Sequence, residues 1–129
     1  MTATIPKASR QQAVTAAEYR ERTAKTTLEA ELQANVAALA AALRLQYFHD
    51  VDSRRNNAGF PDTVIAGPRG HCFAELKRHD GRVRPAQRSW IATLTAGGAA
   101  VYLWRPADWQ SGEIERVLRA LARPRVGQR

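Results

Sequence analysis

The segment Gly67-Pro68-Arg69-Gly70 constrains this chain more than any other, because it separates two runs of strand type, Asp62–Ala66 and His71–Lys77. A Gly/Pro turn between two such runs reads as a β-hairpin. A turn centred between Pro68 and Arg69 puts Asp62 directly opposite Glu75. Side chains alternate between faces along a strand, so Glu75 and Lys77 point to one face and Asp62 joins them there. Two carboxylates directly opposite each other repel, and a cation must compensate: Lys77, a bound metal, or both. Two readings follow. A pair of hard oxygen donors suits Mg²⁺, with waters completing an octahedron, and a metal so placed acidifies water and neutralises charge developing on a phosphate. Lys77 is then positioned to orient or deprotonate an attacking water, or to stabilise that charge. Alternatively, the three residues form an exposed salt-bridge cluster with no chemistry.

The rest of the chain supplies elements to pack around this hairpin. Thr26, with Glu29 three residues later, has the spacing of a capping box. Leu28, Leu32, Val36, Leu39 and Leu43 then fall in a stripe about 80° wide, which predicts an amphipathic helix over 27–44. Gln46–Val51 reads as a strand, Asp52–Gly59 as a loop and His79–Arg84 as a charged loop. Pro85 suits the first position of a helix with Ile91 and Leu94 on its apolar side and Gly97-Gly98 ending it. Ala99–Trp104 is another strand. Asp108 or Ser111 can cap a last helix that buries Ile114, Val117, Leu118 and Leu121 and stops at Pro124. The order α-β-β-β-α-β-α predicts an α/β domain, a small mixed β-sheet flanked by helices, over 26–122. Residues 1–25 lack an apolar stripe and read as a mobile arm or a loosely held helix, and 123–129 as a basic tail.

Twenty Lys and Arg residues against twelve Asp and Glu give a net charge of +8. Residues 1–25 and 113–129 each carry five bases against two acids, whereas 26–112 carries ten against eight. The excess therefore sits at the ends, where it can sweep a polyanion without constraining a core. Arg78, Arg82, Arg84 and Arg88 fall in one stretch opposed only by Asp80, which is either a nucleic-acid-facing patch or a solvated face. A content of 44% hydrophobic and 25% charged residues is that of an ordinary soluble domain. The longest apolar run, Val36 to Leu43, is far short of the roughly 20 residues a membrane span needs, so no membrane partner is expected. No apolar block at the N-terminus suggests a secretory signal. One cysteine, Cys72, supports neither an intramolecular disulfide nor, alone, a zinc cluster, which makes the cytoplasm the default.

Gly59-Phe60-Pro61-Asp62, then Phe73-Ala74-Glu75-Leu76-Lys77, then Gln87-Arg88-Ser89-Trp90 resembles the PD-(D/E)xK nuclease signature. More narrowly it resembles the virus-type replication-repair nuclease (VRR-NUC) family. The likeness extends to His49 and Asp52-Ser53-Arg54 upstream and to Val101-Tyr102-Leu103-Trp104-Arg105-Pro106 and Asp108 downstream, covering roughly 27–109. It implies a restriction-endonuclease-like core and a Mg²⁺- or Mn²⁺-dependent phosphodiesterase. Short stand-alone members, often from phages, resemble Holliday-junction resolvases and act as homodimers. Branched DNA is thus the implied substrate, in a bacterial cell or phage-infected host. Carried over residue by residue, Asp62 and Glu75 are the metal ligands, the Leu76 carbonyl is a further one, Lys77 is the catalytic lysine and Gln87 the supporting helix residue. The family also places an acid on the first helix. Glu29 lies about 60° from the centre of the apolar stripe and Glu31 about 100°, so Glu29 is favoured, although it also suits a capping role. Arg54, Arg78, Arg82, Arg84 and Arg88 are the candidate DNA contacts. Arg84 departs from the family pattern, replacing a small hydroxyl before Pro85 and so losing a helix cap.

The function implied is a metal-dependent DNA endonuclease, structure-selective in the manner of a resolvase. Its rivals are a non-catalytic nucleic-acid-binding module and a nuclease fold retained as an assembly subunit. That every expected polar position is filled favours catalysis. Cys72 alternates with Ala74 and Leu76 as a core residue would, and Trp90 and Trp104 sit at core spacing. Trp109 is either core or, with the final helix, a dimer contact. His49 is either near the site or a structural histidine.

Overall fold

The computed structural model describes residues 14–50 and 58–126. The chain runs through α1 (Ala16–Thr26), α2 (Glu29–Ala42), β1 (Gln46–His49), β2 (Thr63–Gly67), β3 (Gly70–Leu76), α3 (Pro85–Ala96), β4 (Val101–Trp104), α4 (Pro106–Gln110) and α5 (Glu113–Ala122). The four strands form one mixed sheet in the order β1-β2-β3-β4, antiparallel except for the parallel β3–β4 pair. That parallel step needs a crossover, and α3 supplies it. The α/β class and the small helix-flanked sheet are as the sequence predicts.

The hairpin register is also as read. Thr63 faces Ala74, Ile65 faces Cys72 and Gly67 faces Gly70, which continues to Asp62 against Glu75. On one sheet face, Ile65, Cys72, Ala74, Leu76 and Trp104 pack with Leu32, Val36 and Ala40 of α2 and with Ile114 and Leu118 of α5. This is the dry core. Cys72 and Trp104 belong to it, as expected, and Trp109 packs against it, half-buried. Burial pushes the Cys72 thiol up to about 11, and His71 points outward from the neighbouring position, exposed.

Several local expectations are corrected. Thr26 does not open α2; it ends α1, and its hydroxyl donates to the carbonyls of Arg22 and Thr23 of its own helix. The cap of α2 is Leu28, which has no side-chain hydrogen bond to offer and is 57% exposed rather than part of the buried stripe. The capping box lies one helix earlier, where Thr15 Oγ1 accepts from Glu18 N–H and Glu18 Oε2 accepts from Thr15 N–H, both at 3.1 Å. Much of the segment read as an arm or loose helix is therefore the capped helix α1, which buries Ala24 and packs on α4. Residues 1–13 and 127–129 lie outside the described residues. An extra short helix, α4, follows β4. Asp108 accepts from Arg105 N–H at 2.8 Å and so caps α4, while α5 starts from Gly112 in the left-handed region at φ 84°, with Ser111 Oγ accepting from Glu113 N–H at 3.3 Å as the other candidate cap.

The other sheet face carries α3, which has no fully buried residue. It is held at its start by Phe60, whose ring meets Trp90 edge-on at 5.0 Å and Phe73 at 5.8 Å. Trp90 is half-buried, an anchor at the edge of α3. This approach requires Gly59: its φ is +88°, and a Cβ there would stand 2.3 Å from the Ala86 carbonyl carbon and 2.7 Å from Gln87 N. Gly59→Ala should therefore destabilise the domain by at least about 1–3 kcal/mol, read as a lower urea midpoint with an unchanged slope. A variant as stable as the parent would show that α3 does not depend on this contact.

Candidate active site

Asp62 and Glu75 meet where β2 begins and β3 ends. Asp62 N–H donates to Glu75 Oε2 at 3.2 Å. Gln87, in the first turn of α3, donates from Nε2 to Glu75 Oε1 at 2.7 Å, and its own Oε1 accepts from Arg84 N–H at 2.9 Å. Gln87 thus ties the helix start to the carboxylate, replacing the side-chain cap that Arg84 lacks. Lys77 Nζ stands 3.6 Å from Glu75 Oε1, on the shared face that strand alternation requires. Hairpin and crossover helix converge on one carboxylate.

Asp62 is steadied from the other side of the sheet. Thr63, fully buried, donates from Oγ1 to Asp62 Oδ1 at 2.9 Å. His49 Nδ1 lies 3.3 Å from the same hydroxyl, across the β1–β2 pairing. Because the Thr63 proton goes to Asp62, the network assigns the His49 proton to Nδ1. Tyr47 also reaches this corner, its buried hydroxyl near Thr63 and Gln33 without a full hydrogen bond. Burial raises its pKa, and the charge of Asp62 raises it further.

The electrostatics show how confined the pair is. Burial pushes Glu75 up to about 7, helped by the charge of Asp62 and opposed by Lys77. Burial likewise raises Asp62, opposed by the Thr63 hydroxyl, by His49 and by the Leu76 backbone amide. The charge of Glu29, in the exposed first turn of α2, raises both carboxylates. Glu31, also exposed, is not among the charges acting on either.

A cavity of about 160 Å³ opens over the pair, lined by Gly59, Phe60, Asp62, Glu75, Arg84 and Gln87. With roughly 30 Å³ per water, it has room for an ion and several waters. Among the described residues no group of three or more His, Cys, Asp or Glu side chains gathers as a metal cluster. The donor set is therefore two hard carboxylates with raised pKa values, and it fits a divalent cation that keeps much of its water.

Of the candidate DNA contacts, Arg84 lines this cavity. Arg78 and Arg82 stand exposed on the adjoining loop, Arg78 paired with Asp80 at 3.0 Å. Arg88 lies elsewhere, on a groove with Ile91 and Leu103. Arg54 falls outside the described residues.

The family model of the VRR-NUC domain matches residues 4–107. The chain belongs to the VRR-NUC family. No curated protein and no solved structure matches it. The family is of nuclease type, whose members typically use divalent metals. In this VRR-NUC domain the matched span includes all of α1, beyond the 27–109 of the motif likeness. No helix among the described residues is long and apolar enough to cross a membrane.

Thr63 and Tyr47 are the neighbours of the carboxylate pair that sequence reasoning missed. The register would have found Thr63 and the ring opposite it, since His49 pairs with Thr63. Because the folded-state pKa of Glu75 lies above its unfolded value, folding takes up a proton between pH 4.5 and about 7. Without divalent metal, stability should fall as pH rises through that window and level off above it. Urea titrations in chelator should show a loss on the order of 2 kcal/mol after discounting for solvent screening, much reduced in Glu75→Gln, where only the raised Asp62 remains. An identical pH profile in that variant would remove Glu75 as its source.

Proposed function

We propose that this domain is a Mg²⁺- or Mn²⁺-dependent DNA endonuclease, structure-selective in the manner of a Holliday-junction resolvase. The observation that carries the reading is the convergence of Asp62, Gln87 and Lys77 on Glu75, beside a small cavity that Asp62, Glu75, Gln87 and Arg84 line. Asp62, Glu75 and the Leu76 carbonyl would hold the ion, which when bound would neutralise phosphate charge and acidify water. Gln87 keeps Glu75 oriented, and Thr63 keeps Asp62 oriented. Lys77, as an ammonium, orients the attacking water or stabilises the charge that builds on the phosphate. Water adds to phosphorus, one P–O ester bond breaks and the leaving oxygen gains a proton. Glu29 supports the site from α2. Arg84, with Arg78 and Arg82, holds the DNA backbone beside it.

Purified protein incubated with linear, flapped and four-way DNA, in Mg²⁺ and in chelator, tests this reading. Asp62→Asn and Glu75→Gln should each lose cleavage by about a hundredfold or more while DNA binding persists, and Glu29→Gln should lose more than Glu31→Gln. Wild-type protein that binds DNA without cutting it would instead favour a binding module or assembly subunit.

Two symmetric cuts at a four-way junction call for a C2 dimer. The contact expected at Trp109 and the final helix has less free apolar surface to offer, since Ile114 and Leu118 are buried in the protomer's own core and Trp109, Val117 and Leu121 pack against it, partly buried. The exposed apolar side chains Phe48, at 60%, and Leu103, at 37%, lie on the two edge strands instead. Light scattering should give about twice the 14.3 kDa chain mass, with tighter binding to four-way than to linear DNA. A monomer without junction preference would leave a general nuclease.

A further inference from the structure

The loop between β3 and α3 carries Arg78, Arg82 and Arg84, yet its stretch 77–84 forms no helix or strand of its own. It is gathered by one side chain. Arg105, just past β4, donates from Nη1 to the carbonyls of Arg78 at 2.8 Å, His79 at 3.2 Å and Gly81 at 2.9 Å. The loop is turned to suit, with Gly81 N–H donating to the Arg78 carbonyl at 3.0 Å. Three carbonyl oxygens converge on a guanidinium nitrogen much as they would on a bound cation. The base of that side chain is itself fixed, because Asp108 accepts from Arg105 N–H at 2.8 Å. A guanidinium keeps its charge at any working pH, and its planar frame holds that nitrogen in place more firmly than the flexible stem of a lysine holds an ammonium.

We propose that Arg105 is a positioning residue for nucleic-acid binding: it fixes the 77–84 loop so that Arg78, Arg82 and Arg84 meet the phosphate backbone beside the carboxylate site. This rests on the nuclease reading above. The loop is also the link between Lys77 and Gln87, but both of these are held without Arg105. Lys77 N–H donates to the Trp104 carbonyl at 2.9 Å, and Gln87 is bonded to Glu75. Losing the clamp should therefore weaken the grip on DNA and spare the chemistry.

The test uses the full chain as Arg105→Gln and Arg105→Lys, with two readouts. Amide hydrogen exchange without DNA should quicken at residues 78–82 in Arg105→Gln, while β3 and β4 stay protected. Steady-state cleavage in Mg²⁺ should show KM raised about tenfold, with kcat within about threefold of wild type. Arg105→Lys, which keeps the charge, should fall between the two proteins, and it carries the test if Arg105→Gln does not fold. Unchanged exchange in the loop, or a fall in kcat at constant KM, overturns the proposal. Faster exchange in a protein whose wild type neither binds nor cuts DNA overturns the DNA-positioning role together with the nuclease reading, and leaves Arg105 as a structural clamp alone.

Discussion

A carboxylate that is 4% exposed is costly unless its charge is met, and Glu75 is such a group. Its oxygens take hydrogen bonds from the Asp62 backbone amide and the Gln87 side chain, with the Lys77 ammonium close by. These partners come from the start of β2, the start of α3 and the chain just past β3. The hairpin register and the seat of the crossover helix both serve this one group. The donors do not fully offset its burial, since its pKa still rises to about 7. The residual demand for positive charge is met by a proton below about pH 7 and, in the function proposed above, by a divalent ion held together with Asp62.

The two faces of the sheet divide the work. One is closed by α2 and α5 over a continuous apolar core that includes Trp104, Leu76 and Ile65. The other is covered by α3, which buries no residue completely and is anchored through Phe60, Trp90 and the close approach at Gly59. The candidate site lies at the seam between them. Asp62 receives its hydrogen bond from Thr63 and feels His49 and Glu29 from the core side, while Glu75 is held from the α3 side. A site on such a seam inherits rigidity from the core and access from the open face.

The site was legible in the sequence to the extent that strand geometry decides it. A short Gly/Pro turn has few ways to pair its flanks, and the alternation of side chains then puts Glu75 and Lys77 together and Asp62 opposite. Gln87 was reached only through family likeness, since no local rule joins the first turn of a helix to a strand twelve residues back. The misreadings share one cause. Thr26 and Glu29 have the spacing of a capping box, but the Thr26 hydroxyl is already engaged by its own helix. Asp108 stands near the start of α5, yet it caps a shorter helix that the chain inserts first. A spacing rule names a possible partner and is blind to a nearer one.

Composition and periodicity determined the α/β class, the hairpin with its register, the apolar stripe of α2 and the burial of Cys72, because these depend on contacts close in sequence or on simple burial. Tertiary structure alone decided that α1 packs as a helix on α4, that Thr63 links His49 to Asp62 and that Arg105 gathers the carbonyls of the 77–84 loop. Each of these joins groups far apart in the chain or on different strands. Hydrogen-bonding capacity is a property of the residue, but which donor meets which acceptor is set only when the folded backbone brings them within about 3 Å.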